Sequence, residues 1–163
     1  MICKNFKDKE KMRRASRSAA TVLDRLCNMV KPGMSTLELD EAGGELMGEM
    51  GIKSACKGYR AGHRVFPSYT CLSVNDEVVH GIGVKERVLT EGDIISVDIC
   101  IREDGFIGDN CRTIPVGKVS PEVSRLLRVT EESLFLGIEQ AIDKNRVGDV
   151  SHAVQSHVED AGF

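Results

Sequence analysis

A tight turn between two strand-like runs constrains this chain more than any other feature. Gly92-Asp93-Ile94-Ile95-Ser96-Val97-Asp98-Ile99-Cys100-Ile101 is dense in Ile and Val, as a buried strand is. Arg102-Glu103-Asp104-Gly105 follows, then Phe106-Ile107-Gly108-Asp109-Asn110-Cys111-Arg112-Thr113. Asp and Gly both tolerate positive φ, so Asp104-Gly105 predicts a hairpin turn. A two- or four-residue loop there pairs odd positions with even ones, which puts Asp98 and Asp109 on one face of the two strands. Opposite Cβ atoms lie ~5 Å apart and diagonal ones ~7–8 Å apart. Two carboxylates at that range in an apolar sheet repel each other and are costly to desolvate. A divalent cation between them relieves both problems. The competing reading is that each Asp is an edge residue facing water; the Ile-Ser-Val-Asp-Ile-Cys-Ile setting of Asp98 looks buried rather than edge-like.

At 163 residues, 41% hydrophobic and 29% charged, the chain is long enough for a domain with a core. A formal net charge of -3 gives no electrostatic case for nucleic acid. The basic stretch from Lys4 to Arg17 is interrupted by Asp8 and Glu10 and reads as a solvated helix face. No apolar run approaches the length of a membrane span and no signal peptide is evident, so a cytoplasmic location is expected. None of the six cysteines forms a C-x-x-C pair, which argues against a zinc ribbon or thioredoxin motif. Free thiols packed as small core residues are the expectation, with Cys100 and Cys111 flanking the aspartates.

Spacings of three and four through Met12, Ala15, Ala19, Val22, Leu26 and Met29 or Val30 predict a helix over about 9–30, stopped by Pro32-Gly33. Ser35 with Glu38 predicts a capping box, and Leu39, Ala42, Leu46 and Met50 the face of a second helix ending at Gly51. Residues 52–117 read as strands and turns, with Tyr69 to Val74 and Val78-Val79 β-prone and Gly81-Ile82-Gly83 a turn. Ser120-Pro121-Glu122 opens a helix carried by Leu126, Leu127, Thr130, Leu134, Ile138, Ala141 and Ile142. Asp149 is expected to cap a last short helix that ends near Gly162. The order long helix, break, short helix, Gly occurs at 9–51 and again at 121–162, either a chance pairing of helices or the trace of a duplication.

Cys71-Leu72-Ser73-Val74-Asn75-Asp76-Glu77-Val78-Val79-His80-Gly81-Ile82, taken with the two aspartate runs, resembles the type I methionine aminopeptidases. The resemblance runs from about residue 9 to the end and includes Pro32-Gly33-Met34-Ser35 and Val147-Gly148-Asp149-Val150-Ser151. It implies an α/β pita-bread fold, in which two related halves share one curved sheet with helices outside. The N-terminal half would be 9–117, and 118–163 the start of the second half. It also implies removal of the initiator Met from nascent polypeptides with two divalent ions (Co, Mn, Fe or Zn), by a cytoplasmic enzyme, a monomer when complete, with the ribosome as a candidate partner and without membrane or nucleic-acid partners. In the family the ions are held by two Asp, one His and two Glu; Asp98 and Asp109 match the two Asp. His80 matches a histidine that lies near the substrate amide and stabilises charge or moves a proton. Cys71 and Phe66 match residues lining the Met side-chain pocket, where a thiol and an aromatic ring suit a thioether.

Two departures stand beside these matches. An aromatic-His-Gly-aromatic-Pro stretch is usual before the Cys, whereas this chain reads Gly62-His63-Arg64-Val65-Phe66-Pro67. The third ligand's Gly-His-Gly motif and the two Glu are absent from the 163 residues, and His152 and His157 match none of them. The sequence therefore predicts an N-terminal fragment that does not catalyse alone. The alternatives are a catalytically inactive peptidase-fold binding module and a related Xaa-Pro peptidase or prolidase, the last disfavoured by the Cys71-to-His80 block.

Overall fold

The computed structural model describes residues 3–163. In chain order it places α1 Phe6–Cys27, α2 Thr36–Glu49, β1 Lys53–Ser54, β2 Arg60–Ala61, β3 Arg64–Val65, β4 Cys71–Val74, β5 Ile94–Glu103, β6 Phe106–Pro115, α3 Pro121–Glu139 and α4 Val147–Asp160. The chain divides into two compact units, one ending at Lys118 and the other Val119–Phe163.

The first unit is organised around the predicted hairpin. β5 and β6 pair antiparallel from Ile94↔Pro115 to Glu103↔Phe106. Asp104 and Gly105 turn the chain with φ of 48° and 82°, the positive values that their pairing in the sequence suggested. β6 occupies one edge of β5 along its whole length, so β1 and β4 share the other edge, β1 opposite Ile101 and Arg102, β4 opposite Ile95 to Asp98. Along β5 the residues Ile95, Val97, Ile99 and Ile101 are fully buried, and the alternate residues Ile94, Ser96, Asp98 and Cys100 are only half so. The buried row packs with Ala15, Ala19, Val22, Leu23 and Leu26 of α1 in one core. Small residues on α1 let the strands come close: a Cβ on Gly108 of β6 would lie 2.1 Å from the carbonyl oxygen of Ala15. Each fully buried Leu, Ile or Val contributes about 1.5–3 kcal/mol of apolar transfer.

α1 begins at Phe6, three residues before the expected start, because the Asn5 side chain accepts from Asp8 N at 2.9 Å and caps it there. It ends at Cys27, and Met29 is exposed. The Ser35–Glu38 capping box is present and Gly51 follows α2 with a positive φ of 66°. Val78 and Val79 form no strand. They are exposed on a loop whose backbone bonds go elsewhere: Gly81 N to Ser73 Oγ, Gly83 N to Ser68 Oγ and Val84 N to Thr36 Oγ1.

In the second unit Ser120 caps α3 with Pro121 in the first turn, as the sequence indicated. The buried stripe is Val129, Ser133 and Gly137, not the row of large residues; Leu134, Ile138 and Ile142 are exposed. α4 approaches α3 closely, since a Cβ on Gly137 would lie 2.9 Å from Val154 Cγ2, and such contact selects small residues. Asp149 is not the residue before the last helix. It sits one turn in and reaches back to accept from Arg146 N at 2.6 Å.

Candidate active site

The half-buried row of β5 and its partners on either side form the candidate site. Asp98 is in register with Cys111 of β6 and Cys100 with Asp109, so the two carboxylates are diagonal neighbours on one face. Cys71 of β4 is in register with Asp98 on its other side. One row across three strands therefore reads Cys71, Asp98, Cys111. Among the described residues Asp98 makes no hydrogen bond or salt bridge. Burial raises its carboxyl above the ordinary range, the Asp109 charge adds to this, and His80 opposes it. The thiols respond to the same surroundings. Burial and the Asp109 carboxylate push Cys100 up to about 12, and burial with both carboxylates pushes Cys111 up to about 11. Both are neutral thiols at pH 7, neighbours rather than anionic ligands.

A half-buried carboxylate without a donor, facing a second carboxylate, lacks a counter-charge. Oxygen donors suit a divalent cation. Asp98 and Asp109 could hold one in part, but among the described residues no cluster of three or more His, Cys, Asp or Glu is placed to bind a metal.

His80 lies on the loop after β4, exposed, with φ of 61°. Its neighbour Gly81 is fastened to β4 twice, by Leu72 N donating to Gly81 O at 2.9 Å and Gly81 N donating to Ser73 Oγ at 3.2 Å. Glu77 accepts from Val74 N at 2.9 Å and pairs with Arg87, which closes the base of the loop. His80 acts on Asp98 only electrostatically, in the direction that favours the carboxylate. Phe66 is half-buried at the base of the β2–β3 hairpin, donating to Tyr59 O at 2.8 Å. His63 stands exposed at the tip of that hairpin, beside Gly62 with φ of 60°.

Sequence reasoning missed three residues. Asp40 of α2 is buried and accepts from Tyr69 N, Thr70 N and Thr70 Oγ1 at 3.2, 2.8 and 2.7 Å, fixing the entry into β4. Ser73 holds the His80 loop. Cys56, just past β1, is tied to the approach to β4 by Ser54, whose Oγ accepts from Cys56 N at 3.1 Å and donates to Tyr69 O at 2.6 Å. A surface cleft of about 710 Å³ contains neither Asp98, Asp109 nor His80; it is lined by Asp40, Glu41, Lys57, Ser68, Tyr69 and Gly83 among others.

Residues 10–163 match the model of metallopeptidase family M24. The chain belongs to that family. The family is one of metallopeptidases, so a divalent metal is implied. Methionine aminopeptidase of Clostridium acetobutylicum is 40% identical over 163 residues, covering 100% of this chain and 64% of the relative. Methionine aminopeptidase A of Synechocystis is 45% identical over 154 residues, 94% of this chain and 59% of that protein. The crystal structure of methionine aminopeptidase from Thermotoga maritima superposes with a TM-score of 0.90 at 36% identity, over 99% of this chain and 64% of that one. The M24 chain thus spans about 64% or less of these relatives' length, and its mixed helix-and-strand fold is the pita-bread fold of the family. Among its described residues no helix is long and apolar enough to cross a membrane.

Proposed function

We propose that this chain contributes Asp98 and Asp109 to the ligand set of two divalent ions (Co, Mn, Fe or Zn) in a peptidase that removes the N-terminal methionine from newly made polypeptides. The observation that carries this reading is the carboxylate pair on one strand face with Cys71 in the same row, in a chain 40% identical to a methionine aminopeptidase. When bound, such a pair supplies Lewis acidity and lowers the pKa of water. The chain's own residues orient the substrate. Cys71 and Phe66 offer the thioether a thiol and a ring. His80 presents an imidazole whose ordinary pKa suits moving a proton at the substrate amide.

A second reading is a peptidase-fold module that binds without catalysing, since one fold serves several functions. Two carboxylates leave most positions around an ion to water, so the 163 residues alone should bind divalent metal weakly and release no methionine. The deciding experiment grafts residues 1–163 in place of the matching part of the Bacillus subtilis relative, which is 41% identical over 163 residues. The graft, loaded with Co or Mn, should release Met from Met-Ala-Ser, and Asp98→Asn should abolish release. A folded, metal-loaded graft that releases none would sink the enzymatic reading.

A further inference from the structure

We propose that Cys56 and Cys71 are an oxidisable pair that closes into a disulfide on the edge of β5, beside Asp98. The proposal rests on how the sheet brings them together. β1 and β4 lie end to end along the same edge of β5. The chain leaving β1 still follows β5 at Ala55, whose N donates to Cys100 O at 2.8 Å. Cys56 comes next, and Cys71 starts β4 opposite Asp98, so the exit of one strand and the start of the other, running in the same direction, meet on the same stretch of β5. Ser54 fastens the two segments. Its Oγ donates to Tyr69 O at 2.6 Å and accepts from Cys56 N at 3.1 Å. The residue two before one cysteine is thereby bonded to the residue two before the other. The Ser54 bonds draw the two segments together at this point, and a disulfide requires Cα atoms no more than ~7 Å apart.

The two sulfurs differ in access. Cys71 is buried at 5% exposure, while Cys56 is partly open. A peroxide therefore meets Cys56 first. The thiol is oxidised to a sulfenic acid and the peroxide is reduced, releasing one water. The Cys71 sulfur then attacks the Cys56 sulfur; the S–S bond forms, the hydroxyl leaves, and with the Cys71 proton it departs as a second water. A dithiol reductant reverses the change. The bond would staple the exit of β1 to the start of β4. Cys71 is also assigned above to the methionine pocket, but the disulfide does not depend on that assignment.

The test treats the reduced 163-residue protein with hydrogen peroxide, blocks free thiols by alkylation, and maps linked peptides without reduction. The expected result is loss of two of the six alkylatable thiols, one cross-linked peptide joining Cys56 to Cys71, and recovery of both thiols with dithiothreitol. In Cys71→Ser, a dimedone adduct should appear on Cys56; in Cys56→Ser, no intramolecular bond should form. A bond joining any other pair, Cys100 to Cys111 included, would overturn the proposal. So would alkylation of both Cys56 and Cys71 after treatment, or a dimedone adduct on Cys56 in the unsubstituted protein without the bond. The unsubstituted arm decides the matter even if a variant fails to fold.

Discussion

Gly81→Ala tests whether the loop that carries His80 is as tightly seated as it looks. A Cβ at residue 81 would lie 2.0 Å from Leu72 O, 2.6 Å from Leu72 C and 2.9 Å from Ser73 Cα. Ordinary contact begins at 3.4 Å, so the worst of these is about 1.4 Å too short. All three atoms belong to the backbone of β4, which is buried and paired with β5, and cannot swing aside as a side chain would. The loop must lift instead. Lifting strains two hydrogen bonds, Leu72 N to Gly81 O and Gly81 N to Ser73 Oγ. Overpacking costs about 1–3 kcal/mol and each of the two lost bonds about 1 kcal/mol, for a sum of about 3–5 kcal/mol. The assay is urea unfolding followed by circular dichroism. Gly48→Ala is the control, because Gly48 is exposed in α2 with nothing within 4 Å of its added Cβ. Relief of the helical glycine cost should leave that variant as stable as the parent or up to ~1 kcal/mol more so. If Gly81→Ala unfolds within ~0.5 kcal/mol of the parent, the loop is not seated on β4 as described and the placement of His80 loses its support.

Two further outcomes follow from the geometry. In the graft with the Bacillus relative, His80→Ala should lower kcat by about 10²–10⁴-fold and leave metal affinity by calorimetry unchanged; a large loss of metal affinity would assign His80 to the wrong role. The Asp93 carboxylate accepts from Asn75 Nδ2, Thr90 N and Thr90 Oγ1 at 2.9, 2.8 and 2.9 Å, and the Asn75 bond first, then Thr90, holds it below its ordinary 3.8. A carboxyl depressed in the folded state stabilises above its unfolded value and loses that contribution as pH falls through its lower folded value. Acid unfolding curves should therefore steepen from about pH 3.8 downward, and Asp93→Asn should flatten that segment; an unchanged curve would refute it.

The elements legible in the sequence are those set by neighbours along the chain. The Asp104-Gly105 turn, the Ser35–Glu38 box and the Ser120-Pro121 start need only residues within four positions, and each stands where expected. The misreadings come where another segment decides. Val78 and Val79 have strand propensity, but Ser68, Ser73 and Thr36 claim the backbone around them and hold it as a loop. On α3 the periodicity follows the largest apolar side chains, whereas the buried stripe includes Ser133 and Gly137 and the close approach to α4 is at Gly137, whose smallness carries no hydropathic signal.

The same division runs through the candidate site and explains its order of visibility. Asp98 and Asp109 share a face because a two-residue turn fixes parity across a hairpin, and parity can be counted in sequence. Cys71 joins their row through the pairing of β4 with β5, a contact across more than twenty residues that the sequence offers only through family resemblance. Cys56 is a further step removed. It meets Cys71 only because β6 takes the whole of one edge of β5 and leaves β1 and β4 to share the other. No spacing between two cysteines fifteen residues apart encodes that. The residue with the strongest unassigned chemistry thus lies just past a strand only two residues long, where the Ser54 side chain joins the end of β1 to the approach to β4.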